Sequence, residues 1–257
     1  MDAEEWVLAA TQVRTALFVP EITLHLGDDI VELWERTEGW AGRSGLPPPF
    51  WAFAWAGGLG LARYLLDTPE SVRDRRVLDL GTGCGVVAVA AALAGARSVA
   101  VNDVDPLALT AARLNAALNG VRVRAVPGDL LPGSSDAPGS SDAPDQSGTG
   151  AAGSGAAGSG TAGSGTAGPE PLDGVEVVLA GDVFYDRDLA ARVLPFLHRA
   201  AERGCRVLVA DPGRRYLPRA LLLQLARYDV PVPRDLEGTE VATVTVWWLP
   251  ARAEPDA

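Results

Sequence analysis

Lysine is missing from this chain of 257 residues, and all 22 basic residues are arginine. A Schiff-base lysine, a P-loop phosphate lysine and a lysine general base are therefore excluded from its chemistry. Cysteine and histidine are nearly absent too. Cys84 and Cys205 are too few for a disulfide framework and share no C-x-x-C spacing, and His25 and His198 stand isolated. No zinc or other metal site is expected from such a set. Long apolar runs are also lacking. No stretch of about 18 residues is free of charge or glycine, so no membrane span is expected. The N-terminal "MDAEEWVLAATQVR" is acidic and has no apolar signal core. A soluble, cytoplasmic protein is the expectation. The chain has no basic stripe either, and its net charge is −11. That balance argues against a nucleic-acid backbone as partner and favours solubility. Nothing fixes an oligomeric state, and a monomer is the default.

What is present is a hydrophobic content of 47%, enough to bury one sizeable core. Strand-like runs lie at 76–80, 98–102, 121–126, 175–180 and 205–211. Helix-like stretches separate or follow them: Gly85–Ala94, Pro106–Asn119, Asp188–Glu202 and Pro218–Tyr228. Nearly continuous apolar strands alternating with helices predict an α/β fold with a parallel sheet covered on both faces. The run "EVATVTVWWLP" (240–250) alternates and has no helix after it, which predicts an antiparallel edge strand, paired near Val230–Val232. Trp247 and Trp248 point to opposite faces of that strand, so at least one belongs to the core. Residues 1–70 look helical with Pro-rich breaks ("LPPPFW") and are expected to pack over the sheet. One segment differs in kind. From Gly133, "GSSDAP" occurs twice, and Ala151–Gly168 repeats Gly/Ser/Ala pentapeptides. Such composition cannot offset its ordering entropy, so 133–171 is expected to be a disordered loop insertion inside a single domain, 1–257.

The stretch "VLDLGTGCGVVAVAAALAG" (Val77–Gly95) runs a strand into glycines at 81, 83 and 85 and then into a small-residue helix. Bare backbone at such a junction lets a ligand lie close, and the helix aims free N–H groups at it. Dinucleotide folds use G-x-G-x-x-G there. Here the spacing is G-x-G-x-G, and Asp79 lies two positions before the first glycine, where it would repel a phosphate. A cationic ligand suits it, and S-adenosylmethionine carries an ammonium and a sulfonium but no phosphate. The second strand ends at Asp103, nearer the strand end than Asp105 and placed to take the ribose hydroxyls. The third ends in "PGDLL", placing Asp129 and the Leu130 backbone near an adenine amino group. Acids after three consecutive strands together point to adenosylmethionine, although any one alone is as readily a turn or helix cap.

These residues resemble the class I, seven-β-strand adenosylmethionine-dependent methyltransferases. A narrower resemblance spans nearly the whole chain. "FVPEITLHLGDDIVELWERTE" (18–38), "PPPFWAFAWAGGLGLARYLLD" (47–67), "NDVDPLALTAARLNAALNG" (102–120), "LAGDVFYD" (179–186) and "DPGRRYLP" (211–218) look like the electron-transfer flavoprotein β-subunit lysine methyltransferases and their bacterial, nicotinamide N-methylase-like relatives. The resemblance implies a three-layer Rossmann-like fold with a mostly parallel seven-stranded sheet, S-adenosylmethionine as cofactor, and lysine ε-amines of the flavoprotein subunit as methyl acceptors. It also implies roles. Trp55 covers the cofactor, Gly81, Thr82 and Gly83 form the glycine loop, Asp103 is the ribose acid, and Ala180 of the fourth strand counts with the cofactor contacts. Asp182 and Tyr185 match the D-x-x-Y motif that serves catalysis, orienting the amine by hydrogen bonds.

Blander roles stand beside these. Asp182 is also read as a helix N-cap, and Tyr185 as packing against the ribose. Trp51, Phe53 and Cys205 suit a core. Asp211, Arg214 and Tyr216 shape either the substrate pocket or an ordinary turn, and nothing decides whether Glu21 meets substrate. No Asn/Asp-Pro-Pro-Tyr run is present, which lowers nucleic acids and amide side chains as targets. A small-molecule N-methyltransferase for a nicotinamide-like amine and a non-catalytic adenosylmethionine-binding protein remain as alternatives.

Overall fold

The computed structural model describes residues 1–132 and 172–251; the insertion expected at 133–171 lies outside them. The N-terminal part is not wholly helical. Helix α1 (Ala3–Ala10) starts at a capping box in which the Asp2 side chain and the Glu5 amide, and the Glu5 side chain and the Asp2 amide, bond reciprocally. A hairpin of β1 (Gln12–Ala16) and β2 (Val19–Leu26) follows. Val19, Ile22 and Leu24 are buried within it, so a β-branched pattern governs a segment expected to be helical. Helices α2 (Ile30–Ala41) and α3 (Ala56–Asp67) complete this part.

The sheet contains β3 (Arg76–Leu80), β4 (Ser98–Asp103), β5 (Arg124–Pro127), β6 (Val177–Gly181), β7 (Arg206–Asp211), β8 (Leu223–Pro231) and β9 (Val241–Leu249). Their order is β5-β4-β3-β6-β7-β9-β8. The first five are parallel, whereas β9 is antiparallel to both β7 and β8. The C-terminal strand thus lies one place inside the edge, and β8 takes the edge itself. A helix was expected over Pro218–Tyr228. Only a single 3-10 turn forms, at Arg219–Leu221. The leucine run at 221–223 has high helix propensity, but Ala226, Tyr228 and Val230 alternate as a strand and pack on the α3 side of the sheet. Trp247 is partly buried and packs against the core on the α6 side, while Trp248 is exposed, so one of the pair joins the core.

Alternate residues of each strand feed two cores. Val77, Val101, Leu179 and Leu208 meet α3, α4 (Val86–Leu93) and α5 (Pro106–Leu118) on one face. Leu78, Ala100, Val178 and Val209 meet α6 (Arg187–Glu202) on the other. This period-2 division gives the three-layer α/β architecture. Two asparagines of the α5 region hold the hairpin, and one of them, Asn115, also reaches the glycine loop. Asn119 Oδ1 accepts from the Thr23 amide at 2.9 Å, and Asn115 Oδ1 accepts from the His25 amide at 2.7 Å. Asn115 Nδ2 donates to the Cys84 carbonyl at 2.8 Å. A one-turn helix α7 (Arg234–Glu237) joins β8 to β9 and brings one acid back to the strand tips. Among the described residues no helix is long and apolar enough to cross a membrane.

Candidate active site

Strand order reverses direction of growth between β3 and β6, and a cavity of about 410 Å³ opens there, at the carboxyl ends of the parallel strands. This is the switch point at which open α/β sheets hold ligands. The floor is the glycine loop. Gly81 and Gly83 line the cavity, and Gly85 begins α4 at φ +81°. A Cβ on Gly85 would lie 2.7 Å from Ala112 Cα, so both backbone conformation and helix approach demand glycine. The loop is fastened by the Thr82 amide donating to the Asn102 carbonyl at 3.0 Å and the Gly83 amide donating to Asp103 Oδ2 at 3.0 Å.

Asp79 lies beneath this loop and does not line the cavity. It is 1% exposed and accepts the Thr82 hydroxyl at 2.6 Å. Burial pushes its carboxyl up to about 7, with the Thr82 bond opposing. Asp79 and Thr82 therefore form the loop's buried support, because the glycine turn folds over them. Asp103 does line the cavity, with one oxygen on the Gly83 amide and the other on the Asp105 amide, each at 3.0 Å. A carboxylate offers about four acceptor positions, so acceptor capacity remains for a diol. Burial raises this carboxyl above the ordinary range, and its backbone bonds pull the other way. Asp105 caps α5 through the Leu107 amide at 2.8 Å.

The adenine end is built differently from expectation. Asp129 lines the cavity, but it accepts from the Leu131 amide at 2.9 Å and pairs with Arg192 of α6. Leu131, not Leu130, reaches the cavity, and Leu130 packs against the core behind it. Likewise Gly181 lines the cavity, whereas Ala180 is wholly buried in the sheet. Asn102 was not singled out from sequence. It lines the cavity while its Nδ2 donates to the Val126 and Gly128 carbonyls at 2.8 and 2.9 Å, holding the strand exit that carries Asp129.

Across the mouth stand three aromatics. Trp55 donates its indole N–H to the Phe50 carbonyl at 3.0 Å, and its ring meets the Phe50 ring edge-on at 5.4 Å. Phe50 meets Tyr185 edge-on at 5.8 Å. Tyr185 is 50% exposed, so the mouth is open to solvent there, and burial of the rest raises its phenol above the ordinary value. Trp51 is buried as core yet touches the cavity wall, and Phe53 is buried. The glycines after Trp55 serve packing rather than the cofactor: a Cβ on Gly57 would lie 2.7 Å from the Ala210 carbonyl oxygen and 2.8 Å from the Asp182 nitrogen.

Asp182 lines the cavity at a left-handed φ of +60°, which Asp tolerates better than most residues. Arg214 Nε donates to its Oδ1 at 2.7 Å, while Arg214 Nη2 and the Gly57 amide donate to Oδ2 at 3.2 and 3.0 Å. Glu237, absent from the sequence-based candidates, takes Arg214 Nη2 at 3.0 Å and the Ala56 amide at 3.0 Å. Burial works against the Arg214 charge, but these two acids outweigh it and hold the guanidinium above its ordinary value. The cap of α6 is Asp186, bonded to the Asp188 and Leu189 amides, so Asp182 is not that N-cap. Asp211 accepts from the Gly213 and Arg214 amides at 2.6 Å each and lies outside this cavity; it forms the turn that delivers Arg214. Tyr216 packs against the core, and Glu21 pairs with Arg63 at 2.9 Å.

An "electron transfer flavoprotein beta subunit lysine methyltransferase" of Danio rerio is 32% identical over 253 residues, covering 96% of this chain and 83% of that one. The chain belongs to this methyltransferase family. The Mus musculus relative of the same description is 35% identical, over 89% of this chain and 76% of its own length. A family model described as ribosomal protein L11 methyltransferase (PrmA) matches residues 63–137. Among solved structures, ribosomal protein L11 methylase from Lactobacillus delbrueckii subsp. bulgaricus aligns with a TM-score of 0.44 and 16% identity, covering 77% of this chain and 81% of that one. This family member is an S-adenosylmethionine-dependent methyltransferase of class I. Its residues fit that cofactor: side-chain-free glycines at the floor, acceptor capacity on Asp103, and no basic side chain on the loop.

Proposed function

We propose that the chain methylates a lysine ε-amine of the electron transfer flavoprotein β subunit. The relatives matched along most of this chain are named for methylating that subunit, which supports the acceptor. The observation that carries the reading is that Asp182 and Tyr185 line the same cavity at its solvent-open mouth. S-adenosylmethionine supplies a methyl group made electrophilic by its sulfonium. Gly81, Gly83 and Asp103 bind the donor, and the Phe50 and Trp55 rings keep water from one side of the site. Asp182 has three donors already placed on its four acceptor positions. The remaining position on Oδ1 and the Tyr185 hydroxyl orient the incoming amine. Only a neutral amine has the lone pair for attack, and its proton leaves to water at the exposed side. Positioning in line with the departing sulfur supplies most of the rate.

The test uses methyl-labelled S-adenosylmethionine with the purified flavoprotein β subunit, and separately with nicotinamide, followed by mass spectrometry. A labelled lysine on the β subunit is expected. Label on nicotinamide and none on the protein would instead establish the small-molecule enzyme.

A further inference from the structure

The Arg214 guanidinium raises a difficulty for a lysine site, since it lines the same cavity that must admit a cationic side chain. Paired with Asp182 alone, it would make a neutral pair at that part of the wall, leaving Asp103 at the glycine loop and Asp105 at the start of α5 as the cavity's remaining acids without a cationic partner. The second acid changes that balance. Glu237 has a side chain only 3% exposed, it does not itself line the cavity, and it bonds the far side of Arg214 at 3.0 and 3.2 Å. Two carboxylates then share one guanidinium.

We propose that Glu237 is a positioning residue for the acceptor lysine: through Arg214 it leaves the Asp182–Arg214–Glu237 cluster with one unmatched negative charge beside the acceptor position while fixing the geometry of Asp182. The proposal rests on the lysine reading above. Glu237 and Asp182 also bond consecutive amides, Ala56 and Gly57, in the first turn of α3. The same cluster thereby fixes Trp55, the residue that starts that helix, relative to the acid at the cavity wall. Asp211, the next acid along, spends its Oδ1 on the Gly213 and Arg214 amides and lies outside the cavity, so it does not substitute for Glu237. The incoming ammonium is drawn to the surplus charge, and its proton is lost to water before attack.

Glu237→Gln removes the charge at nearly constant volume: the amide oxygen can keep the Ala56 and Arg214 contacts made by Oε1, while the 3.0 Å contact of Oε2 with Arg214 is lost with the charge. Two readouts are required. The first is calorimetric titration of the S-adenosylhomocysteine-loaded protein with n-butylammonium, with 1-butanol as the neutral control. Butylammonium binding about tenfold weaker in Glu237→Gln, with butanol unchanged, supports the proposal. Equal butylammonium binding in both proteins overturns it. The second is steady-state kinetics on the flavoprotein β subunit. KM is expected to rise about tenfold while kcat is unchanged or higher, since a less stabilised ammonium releases its proton more readily. A fall in kcat at constant KM, or a parallel loss of S-adenosylhomocysteine affinity, overturns the proposal in favour of a purely structural role. If wild-type protein leaves the β subunit unmethylated, the acceptor assignment falls while the butylammonium comparison still decides the role of Glu237.

Discussion

Asp79 and Asp103 are both acids at strand ends, yet their surroundings give them different work. Asp79 is enclosed beneath the loop with a carboxyl displaced from an ordinary 3.8 to about 7. Between those values the folded chain binds a proton that the unfolded chain releases, so stability falls as pH rises through the window and the penalty is complete above about pH 7. Asp79→Asn keeps an acceptor for the Thr82 hydroxyl and removes this titration. Its melting temperature in the absence of cofactor is expected to exceed wild type most above pH 7 and to converge towards pH 4, as scanning calorimetry will show. Asp103 faces the cavity and holds the loop at Gly83. Asp103→Ala is expected to weaken S-adenosylhomocysteine binding by roughly 1–3 kcal/mol, measured by titration calorimetry. Unchanged affinity would remove the ribose role. The acids themselves were legible from their spacing, but which one faces ligand depended on how the loop folds over Asp79. Glu237 carried no such signal: it lies 23 residues from its partner Arg214, in a one-turn helix without a motif.

At the level of elements, α3 shows how packing fixes the site. Its Gly57 lies against the ends of β6 and β7, within reach of the Ala210 carbonyl and the Asp182 backbone. Gly57→Ala is expected to cost roughly 1–3 kcal/mol in urea unfolding, because backbone cannot yield to the added methyl. It should also lower turnover, since it separates Trp55 from Asp182. The glycines were visible in sequence, but their purpose was not, because close approach between distant segments leaves no local trace. Strand β3 and helices α4 and α5 were legible for the opposite reason: apolar runs, the Pro106 start and the Gly120 stop are local signals. The misread elements had conflicting local signals. Leu221, Leu222 and Leu223 favoured a helix where edge pairing with β9 imposes strand β8. At the hairpin, tertiary bonds from Asn115 and Asn119 hold as strands a segment expected to be helical.

For the whole molecule, charge is the governing quantity. A net −11 favours encounter with a basic acceptor surface and screens with salt. KM for the protein acceptor is therefore expected to rise from low to physiological ionic strength, while n-butylamine methylation changes much less; steady-state assays at matched pH check this. The α/β class was legible because alternation of strand and helix constrains topology strongly. The order of the last two strands was not, since an alternating strand does not declare which neighbours it joins. The donor is proposed to lie over Gly81 and Gly83 with its ribose on Asp103 and its reactive end towards Asp182 and Tyr185. A crystal structure with S-adenosylhomocysteine tests this most directly. The sulfur is predicted to face the Tyr185 hydroxyl, with both ribose hydroxyls on Asp103. A ligand bound in the reverse direction, or seated elsewhere with this cavity empty, would contradict it.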